Sequence, residues 1–157
     1  MNRACYSLLV VEDDDLDIEK LKRSYRRINV EIELLCATDG EQALHMLRDQ
    51  IDKHALGRPP IMLLDINLPR LNGLELLQRI RADKKTALTP VFIISTSSRP
   101  EDVYEAYRHN AAGYFTKPMT MSETYELVRV LHQYWSHTLL PAPIGIETGR
   151  FQKATNQ

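Results

Sequence analysis

Five short apolar runs, each followed by a stretch with helical spacing, constrain this chain more than any other feature. The runs are residues 7–11 (SLLVV), 33–37 (ELLCA), 61–64 (IMLL), 91–94 (VFII) and 113–116 (GYFT). Between and after them apolar residues recur every three or four positions: Ile18, Leu21, Tyr25 and Ile28; Ala43, Leu44 and Leu47; Leu74, Leu77 and Ile80; Leu127, Val128, Leu131 and Trp135. Runs without polar alternation suit strands buried on both faces, and strict strand–helix alternation specifies a parallel sheet covered by helices on both sides. Crossovers of this kind are right-handed in nearly all proteins.

Local signals set the helix ends. Asp39 offers an N-cap with Gln42 three residues on, and Gly73 opens a helix. Ser98 and Glu101 read as a capping box with Pro100 in the first turn, for a helix to about residue 110. Thr120 and Glu123 read as a second box before the last helix. Residues 49–60 read as a polar connection closed by Pro59 and Pro60.

The chemistry lies where the strands end. In an α/β fold with a five-stranded parallel sheet in the order 2-1-3-4-5, a flavodoxin-like three-layer sandwich, ligands sit beyond the carboxyl ends of the strands. There this sequence places Glu12-Asp13-Asp14-Asp15, Asp65, Ser95-Thr96-Ser97-Ser98 and Lys117-Pro118. Strands one and three are neighbours in that order, so acids from separate strands converge. Two like charges about 4 Å apart repel by roughly 4 kcal/mol at an effective dielectric of ~20. A divalent cation and one lysine relieve this. All-oxygen ligation suits Mg²⁺, and no thiol or imidazole is close enough in sequence to favour zinc. A nucleophilic carboxylate, a hard cation, an ammonium and a hydroxyl are the parts needed to move a phosphoryl group onto an aspartate.

The segments "VVEDD", "LLDINLP", "PVFIIS" and "GYFTKP", in that order and each at a strand end, resemble the receiver domain of two-component response regulators over residues 5 to about 135. The resemblance implies that Asp65 is the phosphoacceptor. It implies that Asp13 and Asp65 bind Mg²⁺ directly, Glu12 binds it through water, and Asn67 adds its backbone carbonyl. Ser95, five residues after Pro90, takes the place of the hydroxyl switch residue in preference to its neighbour Thr96. Lys117 takes the place of the family's lysine, and the peptide bond into Pro118 is expected to be cis. Tyr114 corresponds to the aromatic switch residue, although a core role fits the same position. Two departures stand out: Glu12 where many relatives have aspartate, and Thr96 where a smaller residue is usual. The implied function is acceptance of a phosphoryl group from a sensor histidine kinase, which switches a partner-binding or dimer surface. The connection before strand three and the tail "QYWSHTLLP" resemble response regulators paired with bacterial phytochrome kinases, and a homodimer is expected.

Other readings stand beside this one. A phosphorelay intermediate or phosphate sink is chemically identical at the acceptor. A Mg²⁺-dependent aspartyl phosphatase of the haloacid-dehalogenase type needs a general acid two residues after its nucleophile, where this chain has Asn67, so a phosphoacceptor rather than an enzyme is expected. The acid run 12–15 also suits a solvated turn capping the first helix. Lys20, Lys22, Arg23, Arg26 and Arg27 suit either a solvated face or a docking surface for an acidic kinase.

Twenty lysines and arginines against 21 acids argue against bulk nucleic-acid binding. No stretch has the length and apolarity to span a membrane. Cys5 and Cys36 have no metal spacing and are expected as buried free thiols, which suits a cytoplasmic location. The five histidines show no ligand spacing. About 22 residues follow Trp135, too few for an output domain, so a stand-alone receiver over residues 1–135 is expected. Residues 136–157 are then an arm whose stretch 139–146, apolar and proline-rich, packs on a second subunit or on the last helix.

Overall fold

The computed structural model describes residues 1–53 and 59–141. The strands are β1 (Asn2–Val11), β2 (Val30–Ala37), β3 (Pro60–Leu64), β4 (Val91–Ser95) and β5 (Gly113–Thr116). They alternate with α1 (Asp15–Arg27), α2 (Gly40–Lys53), α3 (Gly73–Ala82), α4 (Pro100–Arg108) and α5 (Met121–Ser136). All strand pairings are parallel, in the order β2-β1-β3-β4-β5. The expected architecture is therefore the observed one.

The pleat sorts the sheet's side chains into two cores. Leu9, Val11, Met62, Leu64, Val91 and Ile93 face one way, against Leu44 and Leu47 of α2, Leu76, Leu77 and Ile80 of α3 and Ala106 of α4. Tyr6, Leu8, Val10, Ile61, Leu63 and Phe92 face the other way, against Leu21 and Tyr25 of α1 and Val128, Leu131 and Trp135 of α5. Neighbouring residues on one strand thus serve opposite layers, as a period of two requires.

Several local expectations shift. β1 starts at Asn2, before the apolar run, and β2 starts at Val30. In the extended β1 the pleat turns Ala4 and Tyr6 inward, which leaves Cys5 exposed rather than buried. Cys36 lies on the edge strand β2 and is half-buried. α2 runs on to Lys53 because Gln50 and Ile51 complete its buried stripe, inside the stretch that reads as a polar connection.

The Ser98–Glu101 box does not form: Arg99 is the N-cap of α4, without a side-chain cap. Pro100 prefers the first helical position and drives the residue before it into extended backbone, which moves the cap one residue on. Ser97 fills the gap, since its Oγ accepts from the Arg99 N–H at 3.3 Å and donates to Asp102 Oδ2 at 2.5 Å. α4 then ends at Arg108, and Asn110 leaves it in the left-handed region, at φ 59°. The Thr120–Glu123 box is present in full. Leu140 packs against the core of the α1–α5 side, while Leu139 points into solvent. Residues 142–146 of the apolar tail lie outside the described residues.

Candidate functional site

β1 and β3 lie side by side in register, with Val11 opposite Leu64. Their next residues, Glu12 and Asp65, therefore emerge together. Each is 4 % exposed or less, an unusual burial for carboxylates. Backbone hydrogen bonds continue past the strands to fix them: Glu12 N–H donates to Ala37 O at 2.9 Å and Asp65 N–H to Val11 O at 3.1 Å. The β3–α3 loop folds back beneath Asp65, where Gly73 N–H donates to Ile66 O at 2.9 Å. A Cβ on Gly73 would lie 2.2 Å from the Asp65 carbonyl oxygen, so only glycine permits this approach.

The acids are arranged as expected. Oxygens of Glu12, Asp13 and Asp65 all lie within 4.8 Å of one another. Glu12 and Asp65 are buried, whereas Asp13 is exposed at the rim. The four-acid run divides its labour, because Asp14 is the N-cap of α1, its Oδ1 accepting from Leu16 N–H at 2.9 Å. The solvated-cap reading therefore holds for Asp14 while Glu12 belongs to the site.

Lys117 reaches this group from the end of β5. Its backbone N–H donates to Ser95 O at 2.8 Å. The Nζ lies 2.5 Å from Glu12 Oε2, 3.0 Å from Asp17 Oδ2 and 3.1 Å from Asp65 Oδ2. No peptide bond among the described residues is cis, the bond into Pro118 included, contrary to expectation. Burial works against the lysine's charge, yet hydrogen bonds to three carboxylates outweigh it and raise the Lys117 pKa above the ordinary lysine value. Burial pushes the Glu12 carboxyl up, against the pull of Lys117 and the Asp14 N–H. At Asp17 burial also raises, but Lys117 and Lys20 prevail and hold the carboxyl below its usual range.

Asp17 is the residue that sequence reasoning missed. It stands outside the strand-end segments, on the third residue of α1. A signal existed: it flanks the buried positions Ile18 and Leu21, which aims it along the edge of the helix toward the sheet.

Ser95 closes the far side. It is fully buried at the end of β4, and its Oγ accepts from Ser97 N–H at 3.1 Å. Tyr114 is half-buried on β5, with its hydroxyl donating to Ser97 O at 2.7 Å. The two expected switch residues thus meet at one loop residue, Ser97. Asn67 contributes its backbone N–H to Asp65 Oδ1 at 3.1 Å.

The comparisons with known proteins agree with this geometry. The family model of the response regulator receiver domain matches residues 8–129. The chain belongs to this family. As a receiver it is a two-component signalling module, and its site fits phosphoacceptor function. It is 29 % identical over 136 residues to the response regulator Rcp1 of Synechocystis, an alignment covering 86 % of this receiver and 92 % of that protein. A structure of Mn²⁺-bound Rcp1 superposes with a TM-score of 0.74, covering 87 % of this chain and 99 % of that one. The phosphorylated cyanobacterial phytochrome response regulator RcpA gives a TM-score of 0.77 at 30 % identity, covering 88 % and 99 %. RPA3017, a response regulator in red light signalling of R. palustris, gives 0.76 at 31 %, covering 87 % and 98 %. Among the described residues no helix is long and apolar enough to cross a membrane.

Proposed function

We propose that Asp65 accepts a phosphoryl group from a phosphorylated histidine of a sensor kinase. The observation that carries this reading is the convergence of Glu12, Asp13 and Asp65 with the Lys117 ammonium on one buried carboxylate. An Asp65 oxygen attacks phosphorus, the new O–P bond forms as the N–P bond of the donor breaks, and the released imidazole nitrogen takes a proton from solvent. Lys117 holds positive charge beside the equatorial oxygens, and Ser95 Oγ supplies a hydrogen bond to the phosphoryl.

The site suits a divalent cation on donor chemistry alone: its oxygens are clustered, anionic and unaccompanied by sulfur or imidazole. Mg²⁺ is the cation this reading assigns, held by Asp13 and Asp65, by the Asn67 carbonyl and by Glu12 through water. When bound it would neutralise charge on the phosphoryl oxygens and offset the repulsion among the acids that hold it. That Rcp1 has a Mn²⁺-bound form supports a divalent ion as ligand of this receiver.

Acceptance at Asp65 then acts through Ser95 and Tyr114 on the surface of α4, β5 and α5, where Tyr104, Tyr107, Val130 and Tyr134 are exposed. That surface suits a homodimer or a protein partner, with residues 136–157 as an additional arm. Likeness to RcpA and RPA3017 makes a phytochrome-type kinase the reading for the donor. The protein is then a cytoplasmic switch, neither an enzyme with turnover nor a nucleic-acid binder.

Labelling by acetyl phosphate with Mg²⁺ tests the acceptor. Asp65→Asn is expected to abolish it, and full labelling of that variant would put the acceptor elsewhere. Lys117→Ala is expected to label weakly and to leave dimer mass unchanged by phosphate in light scattering.

A further inference from the structure

The ammonium of Lys117 has three N–H groups, and three carboxylates take up contacts with it. Two of these, Glu12 and Asp65, belong to the cation cluster and have another positive partner when a metal binds. Asp17 does not belong to that cluster. It sits on α1, 20 % exposed, and its other oxygen meets Lys20 Nζ at 3.2 Å. Beside it lies a narrow recess lined by Asp17, Lys20, Leu21, Ile94, Pro118 and Thr124, with Lys117 in its wall.

We infer that Asp17 is a positioning residue that competes with the phosphoryl group for Lys117 and thereby sets how firmly the phosphorylated state is held. This rests on the phosphoacceptor reading of Asp65. Before transfer, Asp17 keeps the ammonium at the α1 side of the site, so that it does not sit wholly on Asp65 and block it. After transfer, the same carboxylate draws the ammonium away from the phosphoryl oxygens. Lys20 moderates the pull by sharing the charge of Asp17. Asp17 thus adds negative charge near the cation cluster and withdraws positive charge from the phosphoryl position. A residue of purely structural importance has no reason to affect the two in opposite directions.

Asp17→Asn keeps the shape and removes the charge. Calorimetric titration of the full chain with Mg²⁺, and with beryllofluoride as a phosphoryl mimic at saturating Mg²⁺, reads both sides. The variant is expected to bind Mg²⁺ about fourfold more weakly and beryllofluoride about twofold more tightly, the ratios that deleting one unit charge at ~10 Å in well-screened surroundings gives for a dication and a monoanion. Asp17→Ala is expected to give the same signs, and thermal melts of both variants verify the fold. Weakening of both ligands, or no change in beryllofluoride affinity, would overturn the competition. Beryllofluoride binding that survives Asp65→Asn would overturn the phosphoacceptor reading itself, and the inference with it.

Discussion

The two ends of this sheet handle buried polar groups in opposite ways. At the carboxyl ends, charge is concentrated: Glu12 and Asp65 are buried and share the Lys117 ammonium with Asp17. Toward the amino ends, the polar groups are neutral and chained. Tyr25 and Tyr6 hydroxyls are 3.2 Å apart, and the Tyr6 hydroxyl lies 2.9 Å from His132 Nδ1. Trp135 seals that end, fully buried and edge-on to Tyr6 and Phe92 with centroids 5.1 and 5.4 Å apart. The neutral chain is satisfied as built, while the Trp135 indole N–H beside it is buried without a partner among the described residues. The charged end has like charges in excess of the Lys117 and Lys20 ammoniums, so each added cation or phosphoryl changes the best partners of the groups there. One end therefore holds the fold while the other remains free to switch.

The largest test of that division is Trp135→Ala. It should remove about 3–5 kcal/mol of stability, as deletion of a buried aromatic does. Under conditions where the variant stays folded, acetyl phosphate labelling should be close to wild type. Urea unfolding and labelling rates, measured together, check this, and a labelling defect in folded protein would mean the two ends are coupled.

Gly73→Ala should act at the other end. The added methyl meets the Asp65 carbonyl, so a loss of about 1–3 kcal/mol is expected from overpacking. Here labelling should fall along with stability, because the acceptor's own backbone must shift.

Lys117→Met sharpens the electrostatic side. Without Mg²⁺ it leaves three carboxylates without their shared ammonium and should cost about 1–3 kcal/mol. Added Mg²⁺ should restore more stability to this variant than to the wild type, as read by thermal melts with and without the metal. An equal response would argue that the lysine does not offset the acids.

The smallest effect is a pH dependence at the neutral end. Burial holds His132 below the ordinary histidine range. Its neutral form accepts at Nδ1 from Tyr6 when Tyr25 donates to Tyr6. The stabilisation is thus complete above the ordinary histidine pKa and declines as pH falls toward the lower folded value. Unfolding by urea from neutral to mildly acid pH should show this slope, and His132→Gln should flatten it.

Much of this was legible along the chain. Strand positions and their order of appearance followed from apolar runs, and Glu12, Asp13, Asp65, Ser95 and Lys117 stood out as polar residues where such runs stop. The failures share a cause. The mark Asp17 carries, its place beside the buried stripe of α1, is masked because the first turn of a helix ordinarily favours acids. Cys5 looked buried because its neighbours are apolar, but the pleat decides which neighbour faces in. Ser98 had the spacing for a cap, yet the rigid ring of Pro100 moved the cap to Arg99 and handed the hydrogen bonds to Ser97.

Periodicity and local sterics act between residues near in sequence, so the sequence alone determined the alternation of strands and helices and the Thr120–Glu123 cap. It also determined which strand ends bear charge. Distances between groups far apart in the chain depend on strand register and on how far each side chain reaches across the sheet edge. Tertiary structure alone decided that Lys117 serves Glu12, Asp17 and Asp65 together, since Coulomb interactions act through space and these four residues span more than a hundred positions of chain.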